Sequence, residues 1–161
     1  MKKKLFCCFV IFILCLVLAG CGQSKNEKEE QIAGKCTILV ECSTIFDNMD
    51  QLDSQLKDYI PESGTILEKR SVEFFEDESV YDILERELKK DNILMEVSFT
   101  GKSVYVEGID NIYEFSCGDL SGWMYCVNGK YPNVSCSDYK VKDSDVIEWH
   151  YTCDLGKDLE Q

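Results

Sequence analysis

The chain has 161 residues and a formal net charge of −13, so its surface repels polyanions and a nucleic-acid partner is excluded. Hydrophobic residues make up 45% of the chain and aromatic residues 11%, a composition that excludes an intrinsically disordered protein. The length is sufficient for one domain with its own core.

The N-terminus has the parts of an export signal. Lys2, Lys3 and Lys4 precede an unbroken apolar run over residues 5–18, which is shorter than the roughly 20 residues of a membrane span. The stretch 18–21 (LAGC) follows and resembles the lipobox of bacterial lipoproteins, in which the cysteine receives a lipid. We therefore predict a signal peptide over residues 1–20 and a lipidated Cys21. An ordinary secretory signal that contains Cys21 by chance is the alternative.

Cleavage before Cys21 would leave the mature chain anchored by lipid on the extracytoplasmic face of the bacterial cell membrane. It would remove three lysines and no acidic residue, which changes the net charge from −13 to −16. Residues 21–34 are polar and charged up to Gly34 and are predicted to form a flexible tether. Residues 35–161 are predicted to form one domain.

The first half of this domain is predicted to contain both strand and helix. Residues 36–46 are rich in β-branched side chains and are predicted to form a strand. Residues 47–60 carry apolar side chains at helical intervals and end before Pro61, so a helix is expected there. Residues 65–75 are predicted to form the next strand.

The clearest helix begins at Ser79, a natural N-cap, with Asp82 three residues later at the capping-box spacing. Its apolar face consists of Val80, Ile83, Leu84 and Leu88. The rest of the chain favours β structure, with candidate segments at 93–99, 103–108, 112–115, 122–127 and 146–152. Several strands around one main helix predict an α+β fold.

Six cysteines remain after the predicted signal and Cys21: Cys36, Cys42, Cys117, Cys126, Cys136 and Cys153. An even number in a small exported domain indicates disulfides. Cys36 and Cys42 cannot pair within one strand, because their Cα atoms would be about 20 Å apart and a disulfide needs about 7 Å or less. A metal site is less favoured, since the chain has no Cys-x-x-Cys pair and one histidine.

The segment before the Asn128-Gly129 hairpin signal is a candidate ligand-binding surface. Trp123 and Tyr125 alternate along one strand and share a face, so they can form a flat aromatic platform. The alternative is that they belong to the core, where aromatic residues are common. The predicted binding residues are Trp123, Tyr125, Asn128, Tyr131 and Pro132.

Enzymatic chemistry has little support in the sequence. His150, the single histidine, lies in the last predicted strand and is interpreted as a surface or pairing residue. The chain has no serine nucleophile elbow and no glycine-rich phosphate loop. The acidic groups near Asp50 and Asp143 do not match a calcium loop and are interpreted as solvated or turn residues. We expect a protein that is not an enzyme and needs no cofactor.

Four segments carry a resemblance to a known family. They are residues 78–84 (ESVYDIL), 121–129 (SGWMYCVNG), 131–133 (YPN) with Tyr139, and 143–149 (DSDVIEW). Together they resemble a bacterial domain of unknown function that is similar to the C-terminal domain of transcobalamin and intrinsic factor. The resemblance covers residues 36–155 and departs from the family at Ser144, where glycine is expected.

The resemblance implies a β-grasp-like fold, in which a curved sheet packs on one main helix. It also implies that the first and last strands lie parallel, which makes Cys42 and Cys153 the best-placed disulfide partners. Cys117 with Cys136, and Cys36 with Cys126, complete the expected set.

For function, the resemblance implies a corrinoid such as cobalamin, or another flat and partly apolar ligand. The first hypothesis is a lipid-anchored binding protein that captures such a ligand and passes it to a transporter. The alternative is a module that binds another surface protein or acts in adhesion.

Overall fold

Seven strands and one α-helix make up most of the regular structure in this computed structural model, which describes residues 31–159. The elements are β1 (Ile32–Glu41), β2 (Thr65–Phe75), α1 (Val80–Lys90), β3 (Met95–Thr100), β4 (Ser103–Ile109), β5 (Ile112–Tyr113), β6 (Gly122–Val127) and β7 (Val146–Thr152). The predicted signal, Cys21 and the first part of the predicted tether lie outside the described residues. Across residues 31–159, no helix combines the length and the apolar character that crossing a membrane requires.

The strands form two sheets, so the α+β prediction is confirmed. The larger sheet has the order β2-β1-β7-β6, and the smaller has the order β3-β4-β5. β1 and β7 are parallel neighbours, paired from Thr37 with Val146 to Glu41 with His150. This is the arrangement of first and last strands that the family resemblance implies. All other strand pairs in residues 31–159 are antiparallel.

Local sequence signals explain where α1 begins and which face it buries. The Ser79 hydroxyl accepts from the Asp82 amide at 3.2 Å, and the Ser79 amide donates to Asp82 Oδ2 at 2.7 Å. This reciprocal pair is the predicted capping box, and it satisfies two amides at the helix start. The predicted apolar face is buried in the core: Val80, Ile83, Leu84 and Leu88.

A buried carboxylate joins α1 to β2. Glu87 is only 2% exposed. Its two oxygens contact Arg70 of β2 at 3.2 Å, Lys90 at 2.6 Å and Arg86 at 3.3 Å. A buried charge is tolerated only when it is paired, so these three cations are what permits Glu87 at this position.

The predicted helix over residues 47–60 is wrong. Two short 3₁₀ segments, Ser43–Asn48 and Ser54–Tyr59, lie in this region. Between them Leu52 forms a β-bridge with Cys117, and the Asp53 amide donates to the Ser116 carbonyl at 2.9 Å. These long-range backbone bonds use groups that a continuous helix would need for itself.

The first strand is displaced from its predicted position. β1 begins at Ile32, within the segment predicted to be a tether, and ends at Glu41 instead of residue 46. Gly34 pairs with Phe74 of β2, and a Cβ placed there would lie 2.6 Å from Asp143 Oδ1 and 2.9 Å from the Phe74 ring. Gly34 is therefore a close-packed strand residue and not the end of a linker.

The expected disulfides are absent, since all six cysteines of residues 31–159 are buried free thiols. The pairing of Cys36 with Cys126 fails because the two side chains lie on opposite faces of the larger sheet. Cys36 shares the inner face with Ile38, whereas Cys126 is paired with Glu148 on the outer face.

The pairings of Cys42 with Cys153 and of Cys117 with Cys136 fail for another reason. The Cys153 thiol interacts with Cys117, and burial together with this contact raises the pKa of Cys153 to about 12. Cys136 lies elsewhere, with its Sγ 3.7 Å from the Val104 carbonyl oxygen.

We expect mild oxidation of the folded protein to join Cys117 to Cys153 before any other pair, because among the cysteines of residues 31–159 only these two thiols affect each other's pKa. The new bridge should raise the free energy of unfolding by about 2–4 kcal/mol. Non-reducing peptide mapping and urea denaturation measure the two effects. A Cys42→Ala variant should form the same bridge, and a bridge that contains Cys42 would contradict the expectation.

Candidate functional site

An aromatic cleft of about 220 Å³ lies where β4 of the smaller sheet approaches β6, the edge strand of the larger sheet. Four of the five predicted binding residues line it, namely Trp123, Tyr125, Tyr131 and Pro132. Tyr105, Val134 and Trp149 complete most of its aromatic and apolar wall. Residues from separate parts of the chain therefore converge on one concave surface.

Trp123 belongs mainly to the core. It is 6% exposed, its indole N–H donates to the Ile112 carbonyl at 2.8 Å, and its ring meets Tyr151 edge-on with centroids 5.3 Å apart. Trp123 forms an inner wall of the cleft and does not offer an open face to a ligand.

The open side of the cleft comes from the residues after Trp123. Tyr125 is half-buried, with its ring 5.5 Å from Trp149 and its hydroxyl donating to the Val134 carbonyl at 2.8 Å. Tyr131 and Pro132 are also half-buried, and the Val134 side chain is 53% exposed at the rim. The hydrogen bond from Tyr125 holds the loop around Val134 over the sheet edge.

One polar group of the cleft residues has no partner. Trp149 is 2% exposed, and its indole nitrogen forms no hydrogen bond with any of residues 31–159. A buried N–H without an acceptor costs about 1–3 kcal/mol, so an acceptor from a ligand or a water molecule would be stabilising.

Asn128 has a structural position outside the cleft. It occupies the left-handed region with φ of 54° in the turn that follows β6. Its side-chain amide group donates to Asp145 Oδ1 at 2.8 Å, and its side-chain oxygen accepts from the Val146 amide at 2.9 Å. Asn128 thus fixes this turn to the start of β7. Ser144, which replaces the expected glycine, also has a positive φ of 69°.

A second group of polar side chains lies on the outer face of the larger sheet. The Cys126 thiol is 3.7 Å from Glu148 Oε2 and 3.9 Å from His150 Nε2. His150 Nδ1 lies 2.8 Å from Glu41 Oε1. Burial and the negative charge of Glu148 raise the pKa of Cys126 to about 11, so this thiol is protonated at neutral pH.

The sequence alone does not reveal this outer group, because its members are separated by more than 100 residues, from Glu41 to His150. One signal is nevertheless present. Glu148 and His150 are two residues apart in a predicted strand, so both must project from the same face. Cys126 and Glu41 lie beside this pair because their strands are neighbours of β7 in the sheet. The order of strands in a sheet cannot be deduced from the alternation of side chains within one strand.

A larger groove of about 660 Å³ lies between β2 and α1, and Arg70, Arg86, Lys90, Glu73 and Glu87 line it. Three of its cationic side chains already form ion pairs, Arg70 and Lys90 with Glu87 and Arg86 with Glu78. The groove is accounted for by the attachment of α1 to β2, and its lining is more polar than that of the aromatic cleft.

Residues 77–153 match the family described as "Domain of unknown function (DUF4430)". The matched segment contains the helix, the aromatic cleft and the outer face residues of β6 and β7, but not β1 or β2. No curated protein matches the chain.

Two solved structures are similar to this chain. One is a proposed metal binding protein from Ruminococcus gnavus ATCC 29149, with a TM-score of 0.44 and 15% identity over 74% of this chain and 96% of that chain. The other is haptocorrin in complex with Cbi, with a TM-score of 0.51 and 12% identity over 78% of this chain. The chain spans only 27% of the haptocorrin chain. At this identity the similarity to haptocorrin shows the fold alone.

The two aromatic positions should respond differently to truncation. Trp123→Ala should lower the free energy of unfolding by about 3–5 kcal/mol, because it removes a buried ring and leaves a cavity. Tyr131→Ala should lower it by about 1 kcal/mol or less, because its side chain is half-exposed. Urea denaturation of both variants measures the difference. Equal losses would contradict the assignment of Trp123 to the core and Tyr131 to the open surface.

Proposed function

We propose that this chain is a lipid-anchored, non-enzymatic binding protein whose aromatic cleft receives part of a flat, partly apolar ligand such as a corrinoid. The convergence of four of the predicted binding residues on this cleft is the observation that carries the proposal. The fold similarity to haptocorrin supports it, since that protein was solved in complex with Cbi. In this proposal the fold is a β-grasp-like sheet on one helix, and a transporter takes the ligand onward.

The size of the cleft determines how such a ligand would bind. Pockets that enclose small molecules usually measure about 300–1,000 Å³, and this cleft measures about 220 Å³. It can therefore hold one edge or one substituent of a macrocycle, while the rest of the ligand lies over the rim at Val134 and Tyr105. A second protein would be needed to cover the exposed side of the ligand.

In this binding mode the unpartnered indole N–H of Trp149 becomes a polar contact only once the cleft opens, because the nitrogen is fully buried in the free protein. Apolar sites commonly orient ligands with a few polar groups, and a buried donor strongly prefers a ligand that carries an acceptor. A corrinoid carries amide side chains with acceptor oxygens. The cleft thus combines aromatic surface with a wall residue whose buried donor residues 31–159 leave unused.

Titration with cobalamin tests this function, because both tryptophans of the chain line the cleft and report its occupancy by fluorescence. We expect saturable quenching beyond that of free tryptophan at the same corrinoid absorbance. Val134→Asp should abolish saturable quenching, since it puts a charge on the apolar rim.

The matched control for this experiment is Leu155→Asp. Leu155 is 66% exposed and does not line the cleft, so this change adds the same charge to an apolar surface position elsewhere. Binding that survives in both variants, or no saturable binding to the unmodified protein, would contradict the corrinoid proposal. A protein partner retained by the unmodified chain and lost in Val134→Asp would instead favour the interaction module.

The anchor has a separate test. Cys21→Ala should remove the incorporation of labelled fatty acid, because the thiol that accepts the lipid is gone. Fractionation should then find the protein released or retained with its uncleaved signal. Replacement of Cys15, which lies within the apolar run, should leave labelling unchanged. Labelling that persists in Cys21→Ala would show that the lipid is attached elsewhere, and an unlabelled original protein would show an ordinary secretory signal.

A further inference from the structure

Three donor atoms of different chemical types meet on the outer face of the larger sheet. Cys126 of β6 lies directly opposite Glu148 of β7, and His150 follows two residues later on the same face. The thiol sulfur, the carboxylate oxygen and the imidazole nitrogen all lie within 4.8 Å of one another. Within residues 31–159 this is the one cluster of three cysteine, histidine or acidic side chains with that spacing.

We propose that Cys126, Glu148 and His150 form a binding site for a divalent transition metal ion of the zinc type, with one coordination position left open. Zinc takes cysteine sulfur, histidine nitrogen and carboxylate oxygen in tetrahedral geometry. Three protein ligands with a fourth open position are the pattern of zinc sites that bind a further small ligand.

The distances from the sulfur to the other two donor atoms agree with this geometry. With a zinc–sulfur bond of about 2.3 Å and zinc–nitrogen or zinc–oxygen bonds of about 2.1 Å, tetrahedral angles put sulfur about 3.6 Å from the other two donors. Cys126 Sγ lies 3.7 Å from Glu148 Oε2 and 3.9 Å from His150 Nε2. The carboxylate oxygen and the imidazole nitrogen lie within 4.8 Å of each other, against about 3.4 Å in a tetrahedral site, so these two side chains must move together by about 1 Å when the metal binds.

Glu41 gives His150 the orientation that a metal ligand needs. Its carboxylate lies 2.8 Å from His150 Nδ1 and can only accept, so the imidazole proton is held at Nδ1. The lone pair of Nε2 then faces Cys126. A carboxylate behind a ligating histidine is a recurrent feature of zinc sites, where it fixes the tautomer and raises the basicity of the ligand.

The surroundings of the cluster limit access without closing it. The side chains of His150 and Glu148 are 15% and 22% exposed. The Tyr131 ring lies 6.3 Å from the His150 ring and shields one side. Lys69 Nζ is 3.0 Å from Glu148 Oε1, the carboxylate oxygen that does not face Cys126. Because the Lys69 side chain is 52% exposed, this ion pair is weak and competes little with a bound cation.

Metal titration of the chelator-treated full chain tests the proposal. We expect one equivalent of Co²⁺ to give a thiolate-to-cobalt absorption band and the intense visible bands of tetrahedral cobalt, and Zn²⁺ to displace them. Bound Zn²⁺ should also raise the melting temperature, because it binds the folded state.

Two variants remove proposed metal ligands, and a third removes the Glu41 carboxylate that orients His150. Cys126→Ala and His150→Gln should each abolish the cobalt bands. Glu41→Ala should retain the bands and weaken affinity by about 10–100-fold, as loss of a supporting carboxylate does. Cys36→Ala is the matched control, since Cys36 is a buried thiol on the inner face of the same sheet and should leave binding unchanged.

Each outcome either supports or overturns a metal site at this cluster. Absence of a cobalt–thiolate band in the unmodified protein would overturn the proposal, because the three side chains would then be joined by hydrogen bonds alone. Binding that persists in Cys126→Ala and His150→Gln would also overturn it and assign the metal to the acidic surface. If Cys126→Ala fails to fold, His150→Gln alone decides, since that side chain lies at the partly exposed face.

Discussion

The parallel pairing of β1 with β7 is the constraint on which the rest of the structure depends. It joins residues more than 100 positions apart, from Thr37 with Val146 to Glu41 with His150. It places the last strand in the middle of the larger sheet, between β1 and β6. Because side chains alternate along a strand, this one pairing decides which residues of β7 enter the core and which face outward.

The two faces of β7 have different chemistry as a result. On the inner face, Trp149 and Tyr151 are almost fully buried and support the rings of Tyr125 and Trp123. On the outer face, Glu148 and His150 stand beside Cys126 and Glu41. A register shift of one residue would exchange these faces, placing a carboxylate and an imidazole in the core and two large aromatic rings in solvent. The register is therefore strongly specified by hydrophobic burial.

Local sequence signals predicted those parts of the fold that local forces determine. The capping box at Ser79 and the apolar face of α1 were correct because a helix of this type satisfies its own backbone bonds. The helix expected over residues 47–60 was wrong because Leu52 and Asp53 bond to the strand-like segment around Cys117, which periodicity does not reveal. The cysteine pairs failed for the same reason, since the contact of Cys117 with Cys153 depends on how distant segments meet. The cleft residues between Trp123 and Pro132 could be predicted from the sequence of one hairpin. Val134 and Tyr105 could not, because they join the cleft only where the smaller sheet approaches the larger one.

Tyr131 is the side chain that both candidate sites share. It lines the aromatic cleft, and its ring also lies 6.3 Å from that of His150. Burial, together with the negative charges of the outer face, raises the pKa of its hydroxyl to about 12, so it is a neutral hydrogen-bond donor at physiological pH. β6 is an edge strand, and the loop that carries Tyr131 follows it, so this residue can reach around the edge from one face of the sheet to the other. Tyr131 is therefore the side chain that links the cleft on one face of the sheet to the cluster on the other.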